Sequence, residues 1–200
     1  MRDRKYIQLI VLLSVAALAV SCGGGGDDPV VGNLDDFSYM GRRGVPYGPS
    51  ATGGTLDLAA FKGKYVWVDY SAPWCGPCVS QAPTIRKLEH AYNGNVVFLT
   101  VLVSDSSPRK PATRSTARVW AAQHKLDEAH VAAGRETVRY IPTHVLFSPM
   151  GQTLFRKSGV FSEAQIRSTI ESEMRVYAGW YDDNKDDLSV MLGEIGDLGE

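Results

Sequence analysis

Residues 65–78 read YVWVDYSAPWCGPC, and this stretch decides the fold. Its first half is rich in β-branched and aromatic side chains, which favour a buried strand. The strand runs into a turn that contains prolines, a glycine and two cysteines, and from Pro77 to about Tyr92 apolar residues recur at the spacing of a helix face. Pro83 should bend that helix. The stretch therefore predicts a strand, a tight turn and a helix that begins between the two cysteines.

The rest of the chain alternates between strand and helix patterns around this stretch. In order, these are a continuously apolar strand, a second helix in which Val119 and Trp120 face inward, a hairpin, and a last helix capped by Ser162. Two strand–helix units followed by a hairpin and a helix predict an α/β fold with a central mixed β-sheet flanked by helices. The predicted ranges after the first helix are 96–103, 112–125 and 144–156, and the last helix follows residue 162.

Composition excludes several classes of protein. The chain has 200 residues, with 21 Lys and Arg against 22 Asp and Glu, so it lacks the basic excess of a nucleic-acid-binding protein. Three cysteines are too few for a disulfide-stapled scaffold or a four-thiolate zinc site. The histidines His90, His124, His130 and His144 are isolated in the sequence, and we expect His144 to be an ordinary strand residue. We predict no metal, no cofactor beyond a redox-active Cys75–Cys78 disulfide, and no nucleic-acid partner.

The two cysteines of the turn are the candidate catalytic residues. We expect Cys75 to be the exposed nucleophile. It lies at a helix N-terminus, where free backbone N–H groups and the helix dipole stabilise a thiolate. Cys78 lies one turn later, close enough to resolve a mixed disulfide. Half of a zinc site and an inert structural disulfide are the alternatives, and the only other cysteine is Cys22. Asp69, at the end of the apolar strand, is the candidate general acid and base for Cys78, the alternative being an exposed strand-end carboxylate.

Residues 68–78 resemble the active-site segment of thioredoxin. Pro83 matches the proline that kinks the active-site helix of that family, and Ile141-Pro142-Thr143 resembles its cis-proline loop. The resemblance implies that an extended substrate binds the backbone of Ile141 beside a cis Pro142, with Gly159 in the same groove. It also places Trp74, Gly76 and Pro77 on the substrate-binding surface.

Within that superfamily, the chain is similar to the membrane-tethered TlpA/ResA-like branch. Residues 53–64 resemble the N-terminal hairpin of that branch, and the long segment between Val103 and Ile141 leaves room for its inserted helix. Two departures from the pattern of this branch leave the identity of the substrate undetermined. Val138-Arg139-Tyr140 stands where the branch usually has a glycine, and residues 109–118 are unusually basic.

The two ends of the chain predict how it is exported and held. Residues 1–21, with basic residues before an apolar run, resemble a bacterial lipoprotein signal that is cleaved before Cys22, leaving lipid on its sulfur. An ordinary signal peptide and an uncleaved short anchor are the alternatives. Residues 22–52 read as a flexible tether, residues 53–177 as the thioredoxin-like domain and residues 178–200 as a solvated acidic tail. We expect an extracytoplasmic lipoprotein on the periplasmic face of one of the host's membranes.

The predicted function is reduction of protein disulfides by the Cys75/Cys78 dithiol, with apocytochromes c as one candidate substrate. The Gly-Pro pair between the sulfurs is that of thioredoxin, which is a reducing couple. A reducing couple outside the cytoplasm needs electrons, so the predicted partners are protein thiol or disulfide substrates and a membrane thiol donor. The alternatives are a disulfide oxidase or isomerase using the same pair, and a redox-inactive adaptor lipoprotein.

Overall fold

A computed structural model describes residues 46–134 and 138–196 of the chain. The predicted signal peptide, the lipidation site Cys22 and the tether up to residue 45 lie outside the described residues. The strands are β1 Pro46–Pro49, β2 Thr55–Asp57, β3 Tyr65–Ser71, β4 Val96–Leu102, β5 Val131–Ala133, β6 Thr143–Phe147 and β7 Thr153–Ser158. The helices are α1 Gly76–Tyr92, α2 Arg114–His124 and α3 Glu163–Gly196, with short 3-10 helices at Leu58–Phe61 and Glu128–His130.

A five-stranded mixed sheet in the order β5-β4-β3-β6-β7 forms the centre of the fold. Strand β3 pairs in parallel with β4 and antiparallel with β6, while β7 completes the predicted hairpin with β6. This arrangement confirms the predicted α/β fold with a mixed sheet flanked by helices. The N-terminal hairpin of β1 and β2 is also present, as a separate two-stranded sheet.

The two faces of the sheet pack into two separate hydrophobic clusters, because side chains alternate along each strand. One face of β3, with Trp67, packs with apolar residues of all three helices. The other face, with Val66 and Val68, packs with Tyr47 and Leu56 of the N-terminal hairpin. Asp69 lies on the Trp67 face, which also buries both cysteines of the turn.

Helix α1 begins directly after Cys75, which is its N-cap residue. The Cys75 sulfur accepts a hydrogen bond from the Cys78 backbone N–H at 3.2 Å. Pro77 occupies the first turn, where a missing N–H costs no helical hydrogen bond. The helix continues past Pro83 and ends at Asn93, whose left-handed φ of 45° closes it.

The folded part begins before Gly53, inside the range predicted as tether. Strand β1 begins at Pro46, and Tyr47, Ser50 and Ala51 are buried. Arg114, in the basic segment before and within α2, fixes this hairpin: its guanidinium donates to the Ser50 and Gly54 carbonyls at 3.1 and 3.2 Å. The prediction that the domain starts at residue 53 was wrong here, because a glycine- and proline-rich sequence can still form a short strand against a docked helix.

Helix α2 lies in the segment where the sequence predicted an inserted helix. Thr113 caps its N-terminus in a reciprocal capping box with Thr116. Trp120 is buried as predicted, but the expectation that Val119 faces inward was wrong, since its side chain is 61% exposed. Adjacent residues of a helix lie about 100° apart, so the two side chains do not share a face.

Helix α3 continues to Gly196, through most of the range predicted as a solvated acidic tail. Ile166, Ile170 and Tyr177 of this helix are buried. Over the part of the chain that the structure describes, no helix combines the length and the apolar character needed to cross a membrane.

Candidate active site

The two cysteines of the turn form a disulfide at the N-terminus of α1. Their Cα atoms are 5.2 Å apart, a distance that suits a disulfide. Cys78 is fully buried and Cys75 is only 5% exposed in this oxidised state. The prediction of an exposed Cys75 was wrong for this oxidised state, because the closed disulfide buries Cys75, although it is the less buried of the two cysteines.

The Ile141–Pro142 loop lies beside the outer sulfur. The peptide bond before Pro142 is cis, the geometry that the resemblance implies. The Cys75 sulfur is 3.8 Å from the Ile141 carbonyl oxygen, which brings together two predicted site residues far apart in sequence. A peptide bound next to Cys75 would therefore meet the backbone of Ile141.

Two hydrogen-bonded links hold the loop of Gly159 in the same site. The Gly159 N–H donates to the Pro142 carbonyl at 2.9 Å, and Gly159 has a φ of 122°, which an L-residue adopts only with strain. The buried amide of Gln81, on α1, donates to the Phe161 carbonyl at 3.0 Å and accepts from its N–H at 2.7 Å. Sequence reasoning missed Gln81, a polar residue that is buried one turn before Ile85 on α1.

Exposed apolar side chains surround the disulfide. Trp74 is 43% exposed, and its indole N–H donates to the Ser104 hydroxyl at 2.8 Å, which fixes the ring. Tyr140 and Val160 are also largely exposed, on the two loops that meet at Pro142 and Gly159. Gly76 and Pro77 are exposed in the first turn of α1. These residues give the site an apolar rim that an unfolded or extended protein segment can contact.

Asp69 is a buried carboxyl, 1% exposed, on the same face of the sheet as the disulfide. The Ser71 hydroxyl donates to its Oδ2 at 2.6 Å. Burial raises the pKa of Asp69 above the usual aspartate value, against the smaller lowering effects of His144 and of the Ser71 hydrogen bond. The alternative of an exposed strand-end carboxylate is therefore excluded, and a carboxyl with a raised pKa suits proton exchange with a thiol.

His144 is a member of this site that sequence reasoning missed. It is the register partner of Asp69 on β6, and its Nδ1 lies 3.3 Å from Asp69 Oδ1. Its other ring nitrogen, Nε2, lies 3.1 Å from the Gly159 carbonyl oxygen. Burial lowers the pKa of His144, against the raising effects of Asp69 and of the Gly159 carbonyl. The signal that could have revealed it is the antiparallel hairpin, which places β6 beside β3.

Metal ligands do not gather at this site. Within residues 46–134 and 138–196, no group of three or more His, Cys, Asp or Glu side chains is placed to hold a metal ion. The half-zinc-site alternative for Cys75 and Cys78 thus finds no further ligands in the described part of the chain.

Comparison with known proteins supports this interpretation of the fold. Residues 54–172 match the model of a family described as a thioredoxin-like domain. Thioredoxin 1 of Chlorobaculum tepidum is 28% identical over 105 residues, covering 52% of this chain and 80% of that protein. Plant and animal thioredoxins match over only 27% to 45% of their own length.

Two solved structures share the architecture. A thiol:disulfide interchange protein of the thioredoxin family from Chlorobium tepidum has a TM-score of 0.53 at 18% identity, covering 66% of this chain and 97% of that one. An exposed lipoprotein thioredoxin from Streptococcus pneumoniae has a TM-score of 0.51 at 21% identity, covering 62% of this chain and 96% of that one. At these identities, the likeness shows a shared fold.

Replacing the buried carboxyl should stabilise the protein in a pH-dependent way. Because burial raises the pKa of Asp69, the unfolded chain loses this proton first, and the native state loses stability as pH rises from the usual aspartate pKa through the raised one. Asp69→Asn cannot ionise, so we expect it to raise the free energy of unfolding by about 1–3 kcal/mol in alkaline solution, the usual cost of an incompletely compensated buried polar group. The gain should disappear in acid.

Urea unfolding of the oxidised protein at several pH values measures this difference. Asp182→Asn, which changes an exposed carboxyl on α3, is the matched control and should leave the free energy of unfolding nearly unchanged throughout. An Asp69→Asn variant that is less stable than the native protein in alkaline solution would contradict a raised pKa of Asp69.

Proposed function

The chain belongs to the thioredoxin-like domain family, and from this premise we propose that it is an extracytoplasmic reductase of protein disulfides. The domain is of the protein-disulfide oxidoreductase type, with a Cys75–Cys78 disulfide at the start of α1. The observation that carries the proposal is the buried Asp69 on the sheet face that packs against both sulfurs. An adaptor that only kept the fold would need neither the cysteine pair nor this costly carboxyl.

The chemistry follows from which sulfur is outermost. In the reduced protein, the Cys75 thiolate attacks a substrate disulfide, forming a mixed disulfide and expelling one substrate sulfur as a thiolate that takes a proton from water. Cys78 then loses its proton to Asp69 and attacks the Cys75 sulfur. This step closes the Cys75–Cys78 disulfide and releases the second substrate sulfur. The substrate gains two electrons, and the protein dithiol loses them.

The apolar rim and the Ile141 carbonyl suit an extended protein segment as substrate. A backbone N–H of such a segment can donate to the Ile141 carbonyl, which lies next to the attacking sulfur. Trp74, Tyr140 and Val160 offer exposed apolar contacts around it. Proteins with a surface-accessible disulfide, including apocytochromes c, fit this description.

The location outside the cytoplasm is supported by the N-terminal sequence and by the shape of the domain. Residues 1–22 have the pattern of a lipoprotein signal with its cysteine. The N-terminal hairpin and helix α2 match the additions expected of the TlpA/ResA-like branch. The fold is shared with a pneumococcal exposed lipoprotein. Outside the cytoplasm the surroundings oxidise the dithiol, so a membrane thiol donor must reduce the Cys75–Cys78 disulfide again after each cycle.

The Cys78→Ser variant should trap substrates as mixed disulfides. Without Cys78 the attack by Cys75 still occurs, but nothing resolves its product. We expect Cys78→Ser, expressed in full length, to accumulate disulfide-linked complexes in the cell envelope that disappear on reduction. Mass spectrometry of the captured proteins identifies the substrate class, and an apocytochrome c among them would support that substrate.

The matched control is Cys75→Ser, which keeps one thiol but removes the nucleophile and should capture nothing. Equal capture by the two variants would show that the assigned order of attack is wrong. Normal haem loading of c-type cytochromes in cells with Cys75→Ser would remove cytochrome maturation from the proposal.

Lipid attachment can be tested at a single cysteine, because the chain has only three. We expect a metabolic fatty-acid label on the native protein, recovered in the membrane fraction. The Cys22→Ala variant should lose this label, while the Cys75→Ser variant should keep it. A native protein that takes up no label, or a Cys22→Ala variant that keeps it, would count against a lipid on Cys22.

A further inference from the structure

Two buried polar atoms without a hydrogen bond face each other below the disulfide. Among the described residues, Asp69 Oδ1 and His144 Nδ1 are both buried and both lack a well-aligned hydrogen bond. They are 3.3 Å apart, near enough to interact, but they form no hydrogen bond. A buried polar atom without a partner is costly, so the contact between these two requires an explanation.

The second ring nitrogen of His144 fixes the tautomer. Nε2 lies 3.1 Å from the Gly159 carbonyl oxygen, which can only accept a hydrogen bond. Nε2 therefore carries a hydrogen. In the neutral ring, Nδ1 is then a bare lone pair, and it lies 3.3 Å from a carboxyl oxygen.

A single proton satisfies both atoms. If the carboxyl is ionised and the ring neutral, two lone pairs face each other away from water, which is unfavourable. One proton between Oδ1 and Nδ1, on either atom, turns the contact into a hydrogen bond and leaves the pair with no net charge. Burial raises the pKa of Asp69 and lowers that of His144, which brings their proton affinities closer together.

We propose that His144 is a positioning residue that shares one proton with Asp69, so that the base serving Cys78 is the Asp69–His144 pair. The inference rests on the proposed function, in which Asp69 exchanges a proton with Cys78. When the disulfide closes, the proton of the Cys78 thiol passes to the pair, and when the disulfide is reduced again the pair returns it. The structure holds the closed disulfide, the state in which the pair carries the proton.

The surroundings of the pair contain few other groups that titrate. On β3, the Ser71 hydroxyl donates to the other carboxyl oxygen, and on β4 the register partner of Asp69 is the buried Thr100. On β7, the register partner of His144 is Lys157, whose side chain is exposed. The aromatic rings of Trp67 and Phe161 pack on the imidazole at 5.5 and 5.2 Å. Helix α1 and the turn before it contribute the two cysteines and Gln81, and the amide of Gln81 is bound to Phe161.

Nuclear magnetic resonance of the oxidised full-length protein tests whether the proton is shared. With the carboxyl of Asp69 and the ring nitrogens of His144 isotopically labelled, we expect both signals to shift with one common midpoint, and a hydrogen bond to join Oδ1 and Nδ1 below it. A His144 Nδ1 signal that neither shifts nor shows a hydrogen bond while Asp69 takes up its proton would overturn the proposal.

The His144→Gln variant separates proton sharing from structural support. A glutamine amide can still donate to the Gly159 carbonyl but places no titrating nitrogen opposite Asp69. In this variant the protonated carboxyl of Asp69 loses Nδ1 as its hydrogen-bond acceptor, and the ionised carboxylate no longer faces a lone pair. Both changes favour the ionised form. We therefore expect the titration midpoint of Asp69 to fall by at least about half a pH unit, or about threefold in proton affinity. His130→Gln is the matched control, since His130 pairs with Glu89 at 2.8 Å outside the active site, and it should leave the midpoint unchanged.

The resolving step gives the functional readout. Stopped-flow mixing of the reduced protein with oxidised glutathione separates attack by Cys75 from the later release of glutathione by Cys78. We expect the pH midpoint of the release step, and not of the attack, to fall in His144→Gln together with that of Asp69. An unchanged release profile in His144→Gln would overturn the proposal.

Asp69→Asn distinguishes failure of this inference from failure of the proposed function. If Asp69→Asn leaves the pH profile of release unchanged, Asp69 is not the base, and both the assigned step and the inference fail. If Asp69→Asn alters the profile while His144→Gln does not, Asp69 acts alone, and only the inference fails.

Discussion

The pairing of β3 with β6 is the constraint on which the rest of this structure depends. Strand β3 ends at the cysteine turn, and β6 begins after the cis-proline loop, so their antiparallel register sets Pro142 beside Cys75. The same register puts Asp69 opposite His144. A shift of one residue would turn these side chains to the other face of the sheet and separate the carboxyl from the sulfurs. The redox centre is thus a property of the sheet and of the two loops at its edge.

Burial gives this centre its chemical character. The Trp67 face of the sheet is covered by helices, which removes water from Asp69 and His144 and favours their uncharged forms. The first turn of α1 instead offers free N–H groups to the Cys75 sulfur, which favours a thiolate. The site therefore combines a nucleophile that ionises readily, Cys75, with a buried base that holds its proton, Asp69. Hydrogen bonds from Gln81 to Phe161 and from Gly159 to Pro142 keep the loops in place around both.

The features that the sequence predicted are those with local signals. The strand, the turn, Cys75 and Cys78 are marked by residue type and short spacing, and Asp69 stands out as an acid in an apolar strand. The role of Pro142 came from the resemblance to thioredoxin. His144 has no such signal, because its role exists only once β6 is paired with β3. Strand β1, before Gly53, was missed because its glycine and prolines resemble a tether, whereas Arg114 and a buried Tyr47 hold it in the fold. The length of α3 was missed because an acidic sequence can continue a helix whose first turns are anchored by Ile166 and Ile170.

The direction of electron flow is the central claim, and the reduction potential of the Cys75–Cys78 couple tests it most directly. Equilibration of the full-length protein with glutathione buffers, followed by quantification of free thiols, gives this potential. A reductase with a Gly-Pro pair between its sulfurs should have a value near that of thioredoxin, about −270 mV. A value near that of the oxidant DsbA, about −120 mV, would contradict the account and make the protein a disulfide-forming enzyme.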